Sequence, residues 1–191
     1  MKKYFLLIAV SAFISGIGLS AQNLVILHTN DTHSHIEPVR SGKDEGLGGV
    51  IERAAYVDSV RNAEGAGNVL LMDAGDFSQG SSYFTLLKGD VEVDVMNAMG
   101  YDVACLGNHE FDNGLEELAR RLHNVSFPVV CANYDFTGSA VDGLVKPYAI
   151  LRRGGLKVGV IGLLTDISKV VDRKVASRFK YPACHFSVNN F

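Results

Sequence analysis

Three short polar stretches carry the side chains in this sequence that can hold metal ions. Asp31 and His33 lie in His28-Thr29-Asn30-Asp31-Thr32-His33-Ser34-His35, and Asp76 closes Asp73-Ala74-Gly75-Asp76. Asn108, His109 and Asp112 occupy the glycine-bounded stretch Gly107-Asn108-His109-Glu110-Phe111-Asp112-Asn113-Gly114. Imidazole nitrogen suits transition metals and carboxylate or amide oxygen suits harder ions, so the set fits a borderline divalent cation such as Zn²⁺ or Mn²⁺. Two residues apart in an extended segment, Asp31 and His33 would project to one side and reach one ion. A carboxylate such as Asp76 can give one oxygen to each of two ions, and ions about 3.5–4 Å apart clamp a phosphoryl group during in-line displacement. Taken singly, Asp-x-His and a Gly-Asp turn are commonplace. Their weight comes from occurring together.

Each polar stretch follows an apolar run, at residues 24–27, 68–72 and 102–106. The first reads as a strand covered on both faces. Between the runs, Leu47, Val50, Ile51, Ala54, Val57 and Val60 recur at helical spacing and predict an amphipathic helix over residues 47–61. Short helices are expected at 83–88 and 91–99. Another is expected at 115–123, with Glu116 and Glu117 near its positive end and Arg120 and Arg121 near its negative end. A fourth strand follows at 128–132. This alternation predicts an α/β fold with a largely parallel sheet, in which ligands gather beyond the carboxyl ends of the strands. Residues 148–151 and 157–161 flank Arg152-Arg153-Gly154-Gly155 and predict an antiparallel hairpin.

With these motifs in this order, the chain resembles the calcineurin-like metallophosphoesterases, and more narrowly their exported 5′-nucleotidase and nucleotide-sugar hydrolase branch. The stretches that carry the resemblance are Leu27-His28-Thr29-Asn30-Asp31-Thr32-His33, Leu47-Gly48-Gly49 with Arg53, Asp73-Ala74-Gly75-Asp76, and Gly100-Tyr101-Asp102 running into Gly107-Asn108-His109-Glu110-Phe111-Asp112. They span about residues 24–165. The resemblance implies a layered α/β fold with a mixed sheet and two divalent metal ions. Asp31 and His33 would bind the first, Asp76 would bridge both, and Asn108 would bind the second. His109 would be catalytic, held by Asp112, stabilising charge on the phosphoryl oxygens or the leaving group. The implied reaction is hydrolysis of a small-molecule phosphate ester, a nucleotide phosphomonoester, by metal-activated water. Glu110 and Phe111 are read as loop supports, and His28 and His35 as structural neighbours.

The resemblance also implies a histidine after a later strand, a Gly-His-x-His motif and a C-terminal domain that recognises the nucleoside, none of which occurs in these residues. His185 follows Pro182-Ala183-Cys184 instead of an apolar strand and is not assigned as a ligand. Residues 22–191 are therefore expected to form the N-terminal portion of the domain, incomplete at its C-terminus, with a separate C-terminal chain or domain as partner. Two further readings stay open. One is a non-catalytic remnant whose partial ligand set binds metal weakly. The other is a cyclic-nucleotide phosphodiesterase using the same metal centre.

At 191 residues, with 47% hydrophobic and 20% charged, the composition is that of an ordinary globular domain. Residues 1–21 are the exception. Met1-Lys2-Lys3, an apolar run, and the small residues Gly16, Gly18, Ser20 and Ala21 read as a cleaved signal peptide that leaves Gln22 first. The protein is then periplasmic or extracellular with no stable membrane anchor. An uncleaved anchor is the alternative, disfavoured by the serines and glycines. Removing Lys2 and Lys3 takes the formal charge from -3 to -5, which argues against a nucleic-acid polymer or anionic lipid as partner. The cysteines number three, an odd count. Cys105 and Cys131 lie in apolar runs and read as small core residues, with a bridge between them as the alternative. The basic stretch 169–180 reads as a solvated segment, and 181–191 shows no periodicity. A Ser/His/Asp hydrolase is disfavoured, because no glycine-flanked nucleophilic serine follows a strand.

Overall fold

The computed structural model describes residues 23–169, 171 and 173–176. The expected signal peptide, the final segment 181–191 and part of the basic stretch lie outside the described residues.

Strands β1 (Val25–Thr29), β2 (Val69–Asp73), β3 (Val103–Cys105), β4 (Val129–Val130) and β5 (Val145–Lys146) form one sheet in chain order, every neighbouring pair parallel. Parallel neighbours cannot be joined by a tight turn, so the chain crosses back by a loop between β4 and β5 and through helices elsewhere. These are α1 (Gly49–Glu64) after β1, α2 (Ser82–Leu87) and α3 (Asp90–Met99) after β2, and α4 (Leu115–Leu122) after β3. Strands β6 (Tyr148–Arg153) and β7 (Leu156–Ile161) form the antiparallel hairpin, and α5 (Arg173–Ala176) lies beyond it.

Side chains alternate across the sheet. Leu71, Ala104 and Val129 enter a core with Val57 of α1, Met96 and Met99 of α3, and Leu115, Leu118, Ala119 and Leu122 of α4. Their neighbours Met72, Val103 and Val130 meet Ala149, Leu151 and Val160 of the hairpin. The sheet thus has helices on one face and the hairpin on the other. A polar tie reinforces the second contact. Arg153 of β6 pairs with Asp102, whose other oxygen accepts the Leu71 N–H at 2.8 Å. Helix α3 ends at Gly100, whose φ of 67° suits glycine, and Arg61 of α1 donates to the Met99 and Gly100 carbonyls at 2.6 and 2.7 Å.

The structure departs from the expected elements in three places. Strand β1 is not covered on both faces: it is an edge strand with alternating exposure, and Ile26 is 50% exposed. Helix α1 begins at Gly49, so Leu47 sits in the preceding loop, and Ile51 is 75% exposed while Val57 enters the core. Strand β5 is an addition to the expected elements, because two residues carry no readable period. Cys105 and Cys131 are core residues, as expected, and the alternative bridge between them is not formed. Both thiols are free and buried, Cys131 in the helix-side core and Cys105 in register with Val130 of the hairpin-side cluster. Among the described residues no helix is long and apolar enough to cross a membrane.

Candidate metal centre

Strands β1, β2 and β3 end side by side, and the three polar stretches leave from their carboxyl ends. Backbone pairing between the first two continues past the strands. Asp31 N–H donates to Gly75 O at 2.9 Å, His33 N–H to Asp76 O at 3.0 Å, and Ser34 N–H to Phe77 O at 2.9 Å. Along this ladder Asp31, His33, Ser34 and Asp76 adopt φ of 49°, 43°, 53° and 56°. Left-handed backbone costs a non-glycine residue about 1–3 kcal/mol and persists where the surroundings over-determine it. The extended geometry expected for Asp31 and His33 is therefore absent. A left-handed turn brings them together instead, with Asp31 Oδ1 3.7 Å from His33 Nε2. Two glycines allow the loops to close up: a Cβ at Gly75 would lie 2.5 Å from Gly107 N, and one at Gly107 would overlap Asp76.

His33, Asp76 and His109 each present a ligand atom, and these atoms all lie within 4.8 Å of one another. The His109 N–H donates to Asp76 Oδ1 at 2.8 Å, and its ring stands edge-on to His33 with centroids 5.1 Å apart. His109 Nδ1 is 2.8 Å from Asp112 Oδ2. Burial pulls the His109 pKa down, but the hydrogen bond and charge of Asp112, with the charges of Asp76 and Glu110, outweigh it and leave the pKa above its ordinary value. Asn108 is partly exposed and immediately precedes the 3-10 turn His109–Phe111. Imidazole nitrogen and carboxylate oxygen converging at this distance fit a borderline divalent cation. His28 and His35 are exposed and line an open groove with Asp31, His33, Arg53 and Tyr56.

The support beneath the cluster is a fully buried carboxylate. Glu110 Oε2 accepts the N–H groups of Asp76 at 2.9 Å and Gly107 at 2.6 Å, and Oε1 accepts that of Ser78 at 3.0 Å. One side chain thereby fixes the second and third loops to each other. Burial raises the Glu110 pKa against the opposing effect of these three bonds. Arg121, 1% exposed, donates to Ser78 Oγ at 2.7 Å and to the Glu110 carbonyl at 2.6 Å. The sequence suggests only a dipole-compensating charge on α4. The missed signal is its place three residues after Leu118, on the buried stripe of that helix.

A sequence description of the calcineurin-like phosphoesterases matches residues 24–182. The chain belongs to that family. It is 44% identical over 149 residues to the 5′-nucleotidase of Bos taurus, a match that takes in 73% of this chain and 26% of that protein. The crystal structure of the 5′-nucleotidase precursor from Thermus thermophilus superposes with a TM-score of 0.68 at 43% identity, over 75% of this chain and 29% of the other. The NAD nucleotidase of Haemophilus influenzae superposes with a TM-score of 0.71 at 34% identity, over 84% and 29%. The chain spans less than a third of the length of each of these relatives. The α/β fold expected from the strand and helix alternation is the fold of these phosphoesterases.

In this phosphoesterase chain Asp73, at the end of β2, lies behind the cluster and is 4% exposed. Thr29 Oγ1 donates to its Oδ2 at 2.6 Å, with Tyr101 OH 2.8 Å from the same hydroxyl, and Gly75 N–H donates to Oδ1 at 2.8 Å. Burial dominates and raises the Asp73 pKa to about 7 despite the bonds from Thr29 and Gly75. Between the ordinary value of 3.8 and about 7, the folded chain holds a proton that the unfolded chain has released. Stability therefore falls as pH rises through that window. The loss is on the order of 4 kcal/mol. Urea unfolding in EDTA from about pH 4 to about pH 8 should show this loss in the wild type and not in Asp73→Asn. Parallel pH dependences in the two proteins would refute it.

Proposed function

We propose that this chain provides the N-terminal, metal-binding portion of an exported phosphomonoesterase acting on nucleotides. The observation that carries the reading is the convergence of His33, Asp76 and His109 within 4.8 Å at the ends of three parallel strands, with Asp31 beside His33. Asp31 and His33 would hold one divalent cation, Asp76 would serve both, and Asn108 would hold the second. When bound, the two cations, Zn²⁺ or Mn²⁺, stabilise phosphoryl charge as Lewis acids and make water ionisable near neutral pH.

The chain's own groups do the rest. Asp112 fixes the His109 ring through Nδ1, and its hydrogen bond and charge work against burial to raise the ring's pKa. A cation placed where negative charge grows lowers the barrier, so the ring stabilises a phosphoryl or leaving-group oxygen by hydrogen bonding. The nucleotide preference rests on the names of the relatives, which are 5′-nucleotidases and a NAD nucleotidase. Export rests on residues 1–21, and it accords with relatives named as snake venom 5′-nucleotidases. A C-terminal chain or domain would complete the ligand set and contact the nucleoside.

The test is phosphate release from AMP by the full chain, with calorimetric titration of Mn²⁺ and Zn²⁺. Binding of either ion, and release that EDTA abolishes, is the expected result. No bound metal and no turnover in excess of either ion would leave the non-catalytic reading. Turnover confined to a cyclic nucleotide would replace the monoesterase with a diesterase.

A further inference from the structure

Between α1, α3 and the turn that carries Asp31 and His33 lies a small chamber of mixed lining, with the polar groups of Ser34, Arg53 and Glu92 set among the apolar Phe77, Val95 and Met96. It offers about 10 Å³ to the centre of a water-sized sphere, the room one water needs. Two buried atoms at its wall have no hydrogen-bond partner among the described residues, the Nε of Arg53 and the Oε2 of Glu92. One is a donor and the other an acceptor, and no ion pair joins them among the described residues. A buried donor and a buried acceptor left unpaired are both costly. A water between them satisfies both, because it can accept from one and donate to the other.

The other end of Glu92 explains what such a water would do. Glu92 is 3% exposed, and its Oε1 accepts from Ser34 Oγ. Ser34 in turn contacts Ser81 Oγ, which caps α2 by accepting the Tyr83 and Phe84 N–H groups at 3.1 and 3.3 Å. Ser34 has a φ of 53° and directly follows His33. Its side chain is therefore the point at which the left-handed turn is held from beneath, by α2 through Ser81 and by α3 through Glu92.

We propose that Glu92 is a positioning residue for the first metal ligands, acting through Ser34, and that one internal water bound between Glu92 Oε2 and Arg53 Nε ties it to α1. The inference rests on the metal-binding reading given above for Asp31 and His33. Groups that orient metal ligands change metal affinity by roughly 10–100-fold when removed. Glu92→Met deletes both oxygens at similar volume. Glu92→Gln keeps an acceptor for Ser34 and puts an N–H₂ where Oε2 stood, to which a reoriented water can still bond.

The test combines a high-resolution crystal structure of the full chain with calorimetric Mn²⁺ binding and amide exchange of Ser34, whose N–H bonds to Phe77 O at 2.9 Å. Density for a water within hydrogen-bond distance of both atoms is expected. Mn²⁺ affinity should fall roughly tenfold or more in Glu92→Met and be rescued to within about threefold in Glu92→Gln. A dry chamber, or wild-type Mn²⁺ affinity in Glu92→Met, overturns the proposal. Wild-type protein that binds no Mn²⁺ overturns the functional reading instead. The relay is then decided by the density and by Ser34 exchange, which Glu92→Met should speed roughly tenfold and Glu92→Gln should leave unchanged. If Glu92→Met does not fold, Ser34→Ala, which removes the same buried bond from the side of the turn, takes its place in the Mn²⁺ titration and in the exchange of the residue 34 amide.

Discussion

His109→Ala is expected to lower turnover of a phosphomonoester by roughly 10²–10³ while leaving metal affinity nearly unchanged, because the ring stabilises charge that is present only in the transition state. The geometry makes this a discriminating measurement. The His109 ring nitrogen lies within 4.8 Å of the ligand atoms of His33 and Asp76, so proximity alone would also allow it to be a metal ligand. Its Nδ1 is committed to Asp112 at 2.8 Å, an arrangement that orients either role. The two roles separate in the data. A charge-stabilising ring affects kcat, whereas a ligand affects Mn²⁺ or Zn²⁺ binding and turnover together. Parallel loss of both would move His109 into the ligand set and remove the need for Asn108 there.

Glu110→Ala should destabilise the folded chain by about 3–5 kcal/mol, a large share of the roughly 5–15 kcal/mol available to a domain. The substitution strips the acceptor from three buried N–H groups, those of Asp76, Ser78 and Gly107, at a site with no exposure to solvent. It also removes the nearby carboxylate from buried Arg121, whose pKa burial lowers and the Glu110 charge sustains. A buried guanidinium that loses a nearby opposite charge is less stable, although its bonds to Ser78 Oγ and the Glu110 carbonyl remain. Glu110→Gln should lie between wild type and alanine, since one amide N–H₂ then faces a backbone donor. Urea unfolding midpoints of the three proteins check the order. A wild-type midpoint for Glu110→Ala would show that the carboxylate does not hold the loops.

Both predictions concern one motif, Gly107-Asn108-His109-Glu110, whose residues divide the work by burial. His109 keeps part of its ring accessible, while Glu110 has none of its surface exposed. Successive side chains in a 3-10 turn diverge by about 120°. The same short turn can therefore present one side chain to a substrate and drive its neighbour into the support.

Much of this was legible in the sequence. Apolar runs ending in polar, glycine-bearing stretches located β1, β2 and β3 and the loops that leave them, and a glycine pair located the β6–β7 hairpin. Periodicity and turn chemistry are local, so one stretch suffices to show them. What lay across the chain was not legible. The sequence showed an apolar run at β1 but not that it sits at a sheet edge, and it showed Asp31 and His33 two apart but not that a left-handed turn joins them. It placed Arg121 at a helix end, whereas Ser78 and Glu110, 43 and 11 residues away, decide its burial. Glu92 is an ordinary charge on α3 by pattern alone, and only the fold sets Ser34, 58 residues earlier, against it. Local pattern determines which elements form and which groups stand at their ends. Only the packed fold decides which buried donor meets which acceptor, because that pairing is set by three-dimensional proximity between segments whose spacing in the chain carries no trace of it.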